Sequence, residues 1–206
     1  TVVFDGTGAQ GLSLAGGALN SVTVANSGLG ARLDQALVVR GTFTVAPGAV
    51  FDGSASSLTL SGATPGWNTA GAVYRSSSAH KVGWQSPAPG RVLVADGSTV
   101  AASVEVTGVA RLSGQLFISS GALRVFFGGT LDGRGSTLTL RGDAELTLSS
   151  GSAYLHDAGS WLVYQGSGAD RGLGLSTGPV RNIRLEAADP AATFRFGGLS
   201  VDGSLS

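Results

Sequence analysis

The chain has 206 residues, of which 34 are glycine, and its 13 basic side chains balance 13 acidic ones. The zero net charge argues against nucleic acid or an anionic membrane as the main partner, because both demand clustered cations. The chain has no cysteine, which excludes a disulfide framework and a thiolate metal site. No apolar stretch approaches the roughly 18 residues of a membrane helix, so we expect no membrane insertion.

Short alternating strands follow one another along the chain, with no helical periodicity longer than about two turns. Because 42% of the residues are hydrophobic, these strands have enough apolar material for a core. The predicted strands are Leu12–Leu14, Ser21–Ala25, Leu37–Val39, Thr42–Val45, Leu58–Leu60, Arg91–Val94, Val104–Val106, Gln115–Ile118, Leu138–Leu140, Glu145–Leu148, Trp161–Tyr164, Asn182–Leu185, Thr193–Phe196 and Leu199–Val201. The stretch Glu186–Ala192 is a candidate for one short turn before Thr193.

An internal repeat of 80 residues relates distant parts of the chain. Asp52–Gly62 reads DGSASSLTLSG and Asp132–Gly142 reads DGRGSTLTLRG, and ten of the 22 aligned pairs that begin at Gly41 and Gly121 are identical. The period divides a single domain, 1–206, into repeats 1–80 and 81–160 and an incomplete third repeat, 161–206. A long repeat made of short strands is typical of a solenoid.

A right-handed parallel β-helix of about ten short coils is therefore the predicted fold. A sandwich or barrel also has many short strands, but apolar triplets are shorter than the five or six residues typical of sandwich strands. In a β-helix, strands stack at about 4.8 Å and inward side chains pack on their neighbours. We expect Leu58 and Leu60 to stack against Leu138 and Leu140. Phe4, Trp84 and Tyr164, which share the 80-residue phase, are expected to fill one stacked core position.

Several segments resemble a repeat unit of large exported bacterial surface proteins. The resemblance is carried by TVVFDGTGAQ at Thr1–Gln10, by Val22–Gly28, by Val39–Gly62 and in part by Ile118–Gly142. It implies a β-solenoid with an adhesin-like, filamentous-haemagglutinin-like or extracellular filament role, located outside the cell or on its surface. The segment Pro65–Pro89 departs from the pattern and is either an inserted loop or an irregular coil.

Aspartates that recur with the repeat are interpreted as turn formers and not as catalysts. Aspartate and glycine together favour tight turns. Calcium at these turns is the alternative, since carboxylates and turn carbonyls suit that ion; no other cofactor is expected. His156 and Asp157 are adjacent on a strand and therefore point to opposite faces. We expect a protein that is not an enzyme. The recurring residues are Asp5, Asp52, Asp96, Asp132 and Asp202.

The aromatic residues suggest a second function, a polysaccharide-binding or polysaccharide-degrading module on the same fold. Candidate glycan or partner contacts are Trp67, Tyr74, His80 and Trp84. Trp67 is the best candidate for exposure because Pro65 and Gly66 precede it and Asn68 follows, although a place for Trp84 in the core is the favoured interpretation. Exposed rings would stack on sugars.

The two ends of the chain read as strands without polar caps. Unpaired strand edges can pair with another chain. We therefore expect either end-to-end self-association into a filament or continuation into a longer chain. The strands involved would carry Val2, Val3 and Phe4 at one end and Leu199 and Val201 at the other.

Overall fold

The described part of the chain is built from strands and contains no helix. The computed structural model describes residues 1–14, 17–54, 56–77, 79–87, 89–166 and 180–186, and the backbone of 171–174 and 194–197. The strands, in chain order, are β1 (Val2–Phe4), β2 (Gln10–Leu12), β3 (Ala18–Leu19), β4 (Val22–Val24), β5 (Ala31–Leu33), β6 (Leu37–Val39), β7 (Thr42–Val45), β8 (Val50–Asp52), β9 (Ser57–Leu60), β10 (Gly66–Asn68), β11 (Val73–Arg75), β12 (Lys81–Trp84), β13 (Val92–Ala95), β14 (Ser98–Ala101), β15 (Ser103–Val106), β16 (Val109–Ser113), β17 (Gln115–Ser120), β18 (Ala122–Val125), β19 (Thr130–Asp132), β20 (Thr137–Gly142), β21 (Glu145–Leu148), β22 (Ala153–Leu155), β23 (Trp161–Gly166), β24 (Arg171–Gly174), β25 (Ile183–Leu185) and β26 (Phe194–Gly197).

These strands stack into four parallel sheets that form the sides of a β-solenoid. Sheet A is β1-β4-β7-β10-β13-β16-β19-β22, sheet B is β2-β5-β8-β11, sheet C is β3-β6-β9-β12-β15-β18-β21-β24-β26 and sheet D is β14-β17-β20-β23-β25. One coil is a circuit of three strands, through A, then B or D, then C. The predicted parallel β-helix is confirmed, with about eight coils where about ten were expected.

The third side of the solenoid changes from sheet B to sheet D part-way along the stack. Strand β11 is the last of sheet B and β14 is the first of sheet D. The side chain of Thr69 links the two regions, because its hydroxyl donates to the carbonyl oxygen of Thr99 at 2.6 Å and accepts from the Thr99 N–H at 2.9 Å. Sheet D therefore has an outer face of its own, which does not continue that of sheet B.

Inward side chains form apolar ladders that run from coil to coil. In sheet C one buried ladder is Val39, Leu60, Trp84, Val106, Val125 and Leu148. Each fully buried aliphatic side chain contributes about 1.5–3 kcal/mol relative to exposure. Leu58 stacks between Leu37 and Val82, and Leu138 lies in another sheet, so the expected stacking of the two repeats on each other is wrong.

The 80-residue repeat does not return to the same side of the solenoid. Phe4 lies on β1 in sheet A, Trp84 on β12 in sheet C and Tyr164 on β23 in sheet D. Each member lies eleven strands after the one before it, and three strands make a coil, so each period is one strand short of four coils. The expectation of a single stacked position is therefore wrong.

The Asp-Gly turn nevertheless builds the same corner on different sides. The Asp52 carboxylate accepts the Ser54 N–H at 2.9 Å, and the Gly53 carbonyl accepts the Ser56 N–H at 3.1 Å. The second copy repeats both contacts, since Asp132 accepts the Arg134 N–H at 3.3 Å and the Gly133 carbonyl accepts an N–H at 3.0 Å. The prediction that these aspartates form turns is confirmed for both copies.

The segment Pro65–Pro89 contributes one strand to each of three sheets, β10, β11 and β12. It is therefore a coil of the solenoid, and the inserted-loop alternative is wrong. Leu199, Val201, Asp202 and residues 187–193 lie outside the described residues. No helix within the described ranges is long and apolar enough to cross a membrane.

Candidate functional site

The four predicted contact residues come together inside the solenoid. Trp67, Trp84 and His80 are 0% exposed and Tyr74 is 9% exposed. The Trp67 ring lies 5.7 Å from Tyr74 and 6.2 Å from Trp84 between centroids. The expected exposure of Trp67 is wrong, because it is the middle residue of a three-residue strand whose two flanking positions, Gly66 and Asn68, point outward. This cluster is part of the core and offers no surface to a sugar.

His80 has a structural role that its hydrogen bonds define. Its Nε2 lies 2.5 Å from the Tyr74 hydroxyl, and its Nδ1 contacts the carbonyl oxygen of Ser56. Because a carbonyl only accepts, Nδ1 carries the proton and Nε2 accepts from the Tyr74 O–H. Burial lowers the pKa of His80 below its ordinary value, and the bond to Ser56 offsets part of that effect. The imidazole is thus held neutral.

The aspartate turns do not assemble a metal site among the described residues, in which no group of three or more potential ligands was found. Asp157, the residue next to His156, lies at a corner of the solenoid and binds backbone N–H groups there. Its carboxylate accepts the Gly135 N–H at 2.9 Å and the Gly159 N–H at 3.0 Å. The Gly135 N–H is the main cause of the lowered pKa of Asp157. The carboxylate therefore ties one coil to the next.

The outer face of sheet D carries two half-buried aromatic rings across a shallow pocket of about 160 Å³. Phe117 on β17 and Trp161 on β23 lie on either side of β20, so the strands that carry them are about 10 Å apart. We name this face the sheet D platform. It comprises Gln115, Phe117, Thr137, Thr139, Arg141, Trp161, Val163, Gln165, Arg184 and Glu186.

Polar side chains on the sheet D platform hold one another in a chain. Arg141 Nε donates to Gln165 Oε1 at 2.9 Å, and Gln165 Nε2 donates to Glu186 Oε2 at 2.7 Å. Arg184 lies 3.7 Å from Glu186 and its guanidinium sits 4.8 Å from the centre of the Trp161 ring.

Arg141 completes the arrangement over the other ring, with its guanidinium 4.1 Å from the centre of Phe117. Cation–π contacts thus orient both arginines, together with a hydrogen bond for Arg141 and an ion pair for Arg184. Apolar rings beside fixed donors and acceptors make a surface suited to a polar ligand that has apolar faces.

A larger groove of about 580 Å³ lies on sheet A next to this face. Its lining includes three arginines from successive coils, Arg91, Arg111 and Arg134, together with Leu93. Arg111 lies opposite Leu93 on one neighbouring strand and Asp132 on the other. We name it the arginine groove; the remaining lining residues are Thr64, Leu112, Ser113, Gly114, Gly135 and Ser136.

The two surfaces meet along one corner of the solenoid. Ser113 and Gly114 line the arginine groove, and the next residue, Gln115, lines the sheet D platform. Ser136 and Thr137 repeat this relation one coil later. A ligand that turns this corner touches both surfaces.

Sequence reasoning missed both surfaces, although each has a signal. The arginines of the groove are 20 and 23 residues apart, which is the length of a coil. Strand β23 reads WLVYQG, with apolar residues on both faces of the strand, where a half-buried strand alternates. Comparison of the chain with family models, with curated proteins and with solved structures found no match.

Proposed function

We propose that this chain is a non-catalytic, extracellular β-solenoid that serves as a rigid adhesive element and contacts surface glycans through the sheet D platform. The observation that carries the proposal is the pair of rings, Phe117 and Trp161, beside a linked set of polar side chains on one outer face.

Sugars present apolar C–H faces and a rim of hydroxyl groups. Aromatic rings accept the faces, and amide, guanidinium and carboxylate groups bind the hydroxyls. A guanidinium lies over each platform ring, so a sugar would stack on either ring as Arg141 or Arg184 moves aside. On the platform, the half-buried Thr137 lies on the strand between the rings, and Gln165 is fixed at one edge. Because apolar ladders support the platform from beneath, little conformational freedom is lost when a ligand binds.

The charges of the platform favour binding over hydrolysis. Most glycoside hydrolases use two carboxyl groups that flank the scissile bond. The platform's described carboxylate is Glu186, which accepts a hydrogen bond from Gln165 and pairs with Arg184. In the arginine groove, Asp132 is held by two hydrogen bonds from Arg134. The hydrogen bonds from Arg134 lower the pKa of Asp132, which disfavours its use as a general acid.

A glycan array followed by titration of the retained glycans tests this proposal. Trp161→Ala is expected to weaken binding about ten-fold, which corresponds to about 1.4 kcal/mol, because it removes one stacking surface. Phe127→Ala is the matched control, since Phe127 is 88% exposed on a corner that does not line the platform. Equal affinity of the wild type and Trp161→Ala for every retained glycan would contradict the proposal.

End-to-end self-association is a second candidate function, favoured by the position of β1 as the first described strand of sheet A, with β4 on one side. Val2 donates its N–H to Ser21 at 2.9 Å and the Phe4 carbonyl accepts from Ala25 at 2.7 Å, so both face β4. Since successive residues of a strand alternate, the N–H of Val3 points to the opposite edge, and its side chain is 53% exposed. That edge can add a further strand.

Electron microscopy across a range of protein concentrations tests this second function. Val3→Pro removes the outward donor without removing a bond to β4, and Val3→Thr keeps the donor. Fibres formed by the wild type and Val3→Thr, and lost with Val3→Pro, are the expected result. Fibres that persist with Val3→Pro would exclude association through β1.

A further inference from the structure

We infer that the arginine groove binds the carboxylate or sulfate groups of an acidic polysaccharide whose chain continues around the corner onto the sheet D platform. This inference rests on the proposed function, which it deepens by assigning the chemical class of the glycan.

The three arginines form a diagonal row across sheet A. Arg111 lies opposite Leu93 and is therefore one strand further and two residues along from Arg91. A strand separation of about 4.8 Å and a rise of about 3.3 Å per residue place these two Cα atoms about 8 Å apart. Arg134 continues the same direction, since it follows Asp132, the residue opposite Arg111. The row ends at the corner where the sheet D platform begins.

Two of the three guanidinium groups are available to a ligand. Among the described residues, neither Arg91 nor Arg111 makes an ion pair. Arg134 donates Nε–H and Nη2–H to the Asp132 carboxylate, both at 2.8 Å, which leaves its Nη1 group directed elsewhere. Planar guanidinium groups bind carboxylate and sulfate through paired hydrogen bonds. The groove therefore presents two guanidinium groups that form no ion pair with a described carboxylate.

The other nearby carboxylates are turned to the backbone. Asp96 accepts the Gln115 N–H at 2.5 Å, and Asp157 accepts the Gly135 N–H at 2.9 Å. Each accepts a corner N–H and, within the described part of the chain, forms no ion pair with an arginine of the row. The pKa of Arg134, raised mainly by the carboxylate to which it donates, is nevertheless raised further by the charge of Asp157.

The floor of the arginine groove suits a sugar better than a nucleic acid. Leu93 is 46% exposed in the middle of the row, and Gly114 and Gly135 keep its corner end open. An apolar floor between cations fits a polymer with C–H faces and regularly spaced acidic groups. Two unpaired arginines fall short of the six to ten phosphate contacts of a typical DNA-binding surface, for which salt dependence is steep.

Isothermal titration of the full chain with three polymers tests the inference. Polygalacturonate supplies carboxylates, dextran sulfate supplies sulfates and dextran supplies neither; a single-stranded DNA oligonucleotide is the polyanion control. The variants are Arg111→Gln, in the middle of the row, and Trp161→Ala, on the platform. Arg124→Gln is the matched control, because this exposed arginine lies on β18 of sheet C and removes the same charge from another side.

We expect one or both acidic polysaccharides to bind more tightly than dextran, and the preferred one identifies the anionic group. Arg111→Gln should lower that affinity about ten-fold, and Arg124→Gln should leave it unchanged within about two-fold. Added salt should weaken the binding of the acidic polymer, because the partners are exposed charges.

Three other outcomes would overturn the inference, and they differ in what they say of the proposed function. If dextran binds as well as the acidic polymers and only Trp161→Ala weakens it, the platform binds glycans but the groove does not select acidic ones. If Arg124→Gln weakens binding as much as Arg111→Gln, or DNA binds as tightly, the attraction is unspecific. If no polysaccharide binds here and no glycan is retained on the array, the proposed function fails as well.

Discussion

Truncating Trp67 should be one of the most damaging single changes in the first four coils of the solenoid, β1 to β12. The side chain is 0% exposed, and its ring lies 5.2 Å from Phe43, 5.7 Å from Tyr74 and 6.2 Å from Trp84 between centroids. Replacing a fully buried tryptophan by alanine costs about 3–5 kcal/mol, because the transfer energy is lost and a cavity remains. We expect Trp67→Ala to lower the free energy of unfolding by that amount.

A milder variant separates packing from polarity at the same position. The indole N–H of Trp67 is buried and makes no hydrogen bond with any described residue. Trp67→Phe keeps a ring and removes this donor, whose burial without a partner costs about 1–3 kcal/mol. The gain offsets part of the lost volume, so we expect Trp67→Phe to cost no more than about 1.5 kcal/mol.

Urea denaturation followed by circular dichroism measures both variants, with Trp161→Ala as the control on an outer face. Because solenoid coils unfold partly independently, a fall in the slope m as well as in the midpoint would show that only the neighbouring coils are lost. A cost below about 1 kcal/mol for Trp67→Ala, far under the value for buried tryptophans, would refute the assignment of this ring to the core.

Three further predictions concern the stability of the solenoid. The pKa of His80 is lowered in the folded state, so below about pH 6.5 the unfolded chain binds more protons and the stability of the fold should fall. His80→Phe should reduce this dependence of the melting temperature on pH. Phe127 has a left-handed φ of 52° and is 88% exposed, so Phe127→Gly should raise stability by up to about 1 kcal/mol in urea, and a decrease would indicate a contact that the exposed ring makes. A Cβ on Gly62 would overlap the carbonyl oxygen of Arg40, whereas one on Gly8 meets nothing within 4 Å; soluble yield should fall for Gly62→Ala and not for Gly8→Ala.

The strands were predictable from sequence because alternation and turn residues are local signals. Three predicted strands, Leu37–Val39, Thr42–Val45 and Glu145–Leu148, have the observed bounds. The number of strands in a coil is not a local property, since it depends on how corners close in space. For that reason the 80-residue period suggests vertical stacking of the repeats, although Leu58 and Leu138 belong to different sheets.

The candidate site is harder to predict, because turn residues flank strands whose side chains point inward as well as strands whose side chains point outward. Pro65 and Gly66 beside Trp67 suggest an exposed ring, yet the middle residue of β10 faces inward, whereas the middle residue of β5, another three-residue strand, faces outward. Conversely, Trp161 begins an apolar run and reads as core, while its side chain lies on the outer face of sheet D. Only the register between coils distinguishes the two tryptophans.

The step of eleven strands from one equivalent position to the next has a consequence for how such a rod meets its surroundings. A surface feature copied once per 80 residues appears on a different side each time, as Phe4, Trp84 and Tyr164 do for the core. Three successive copies therefore lie on three different sides of the solenoid axis. A longer array of such repeats would therefore present the same surface feature on every side of the rod, and it could bind a partner without a preferred orientation about its axis.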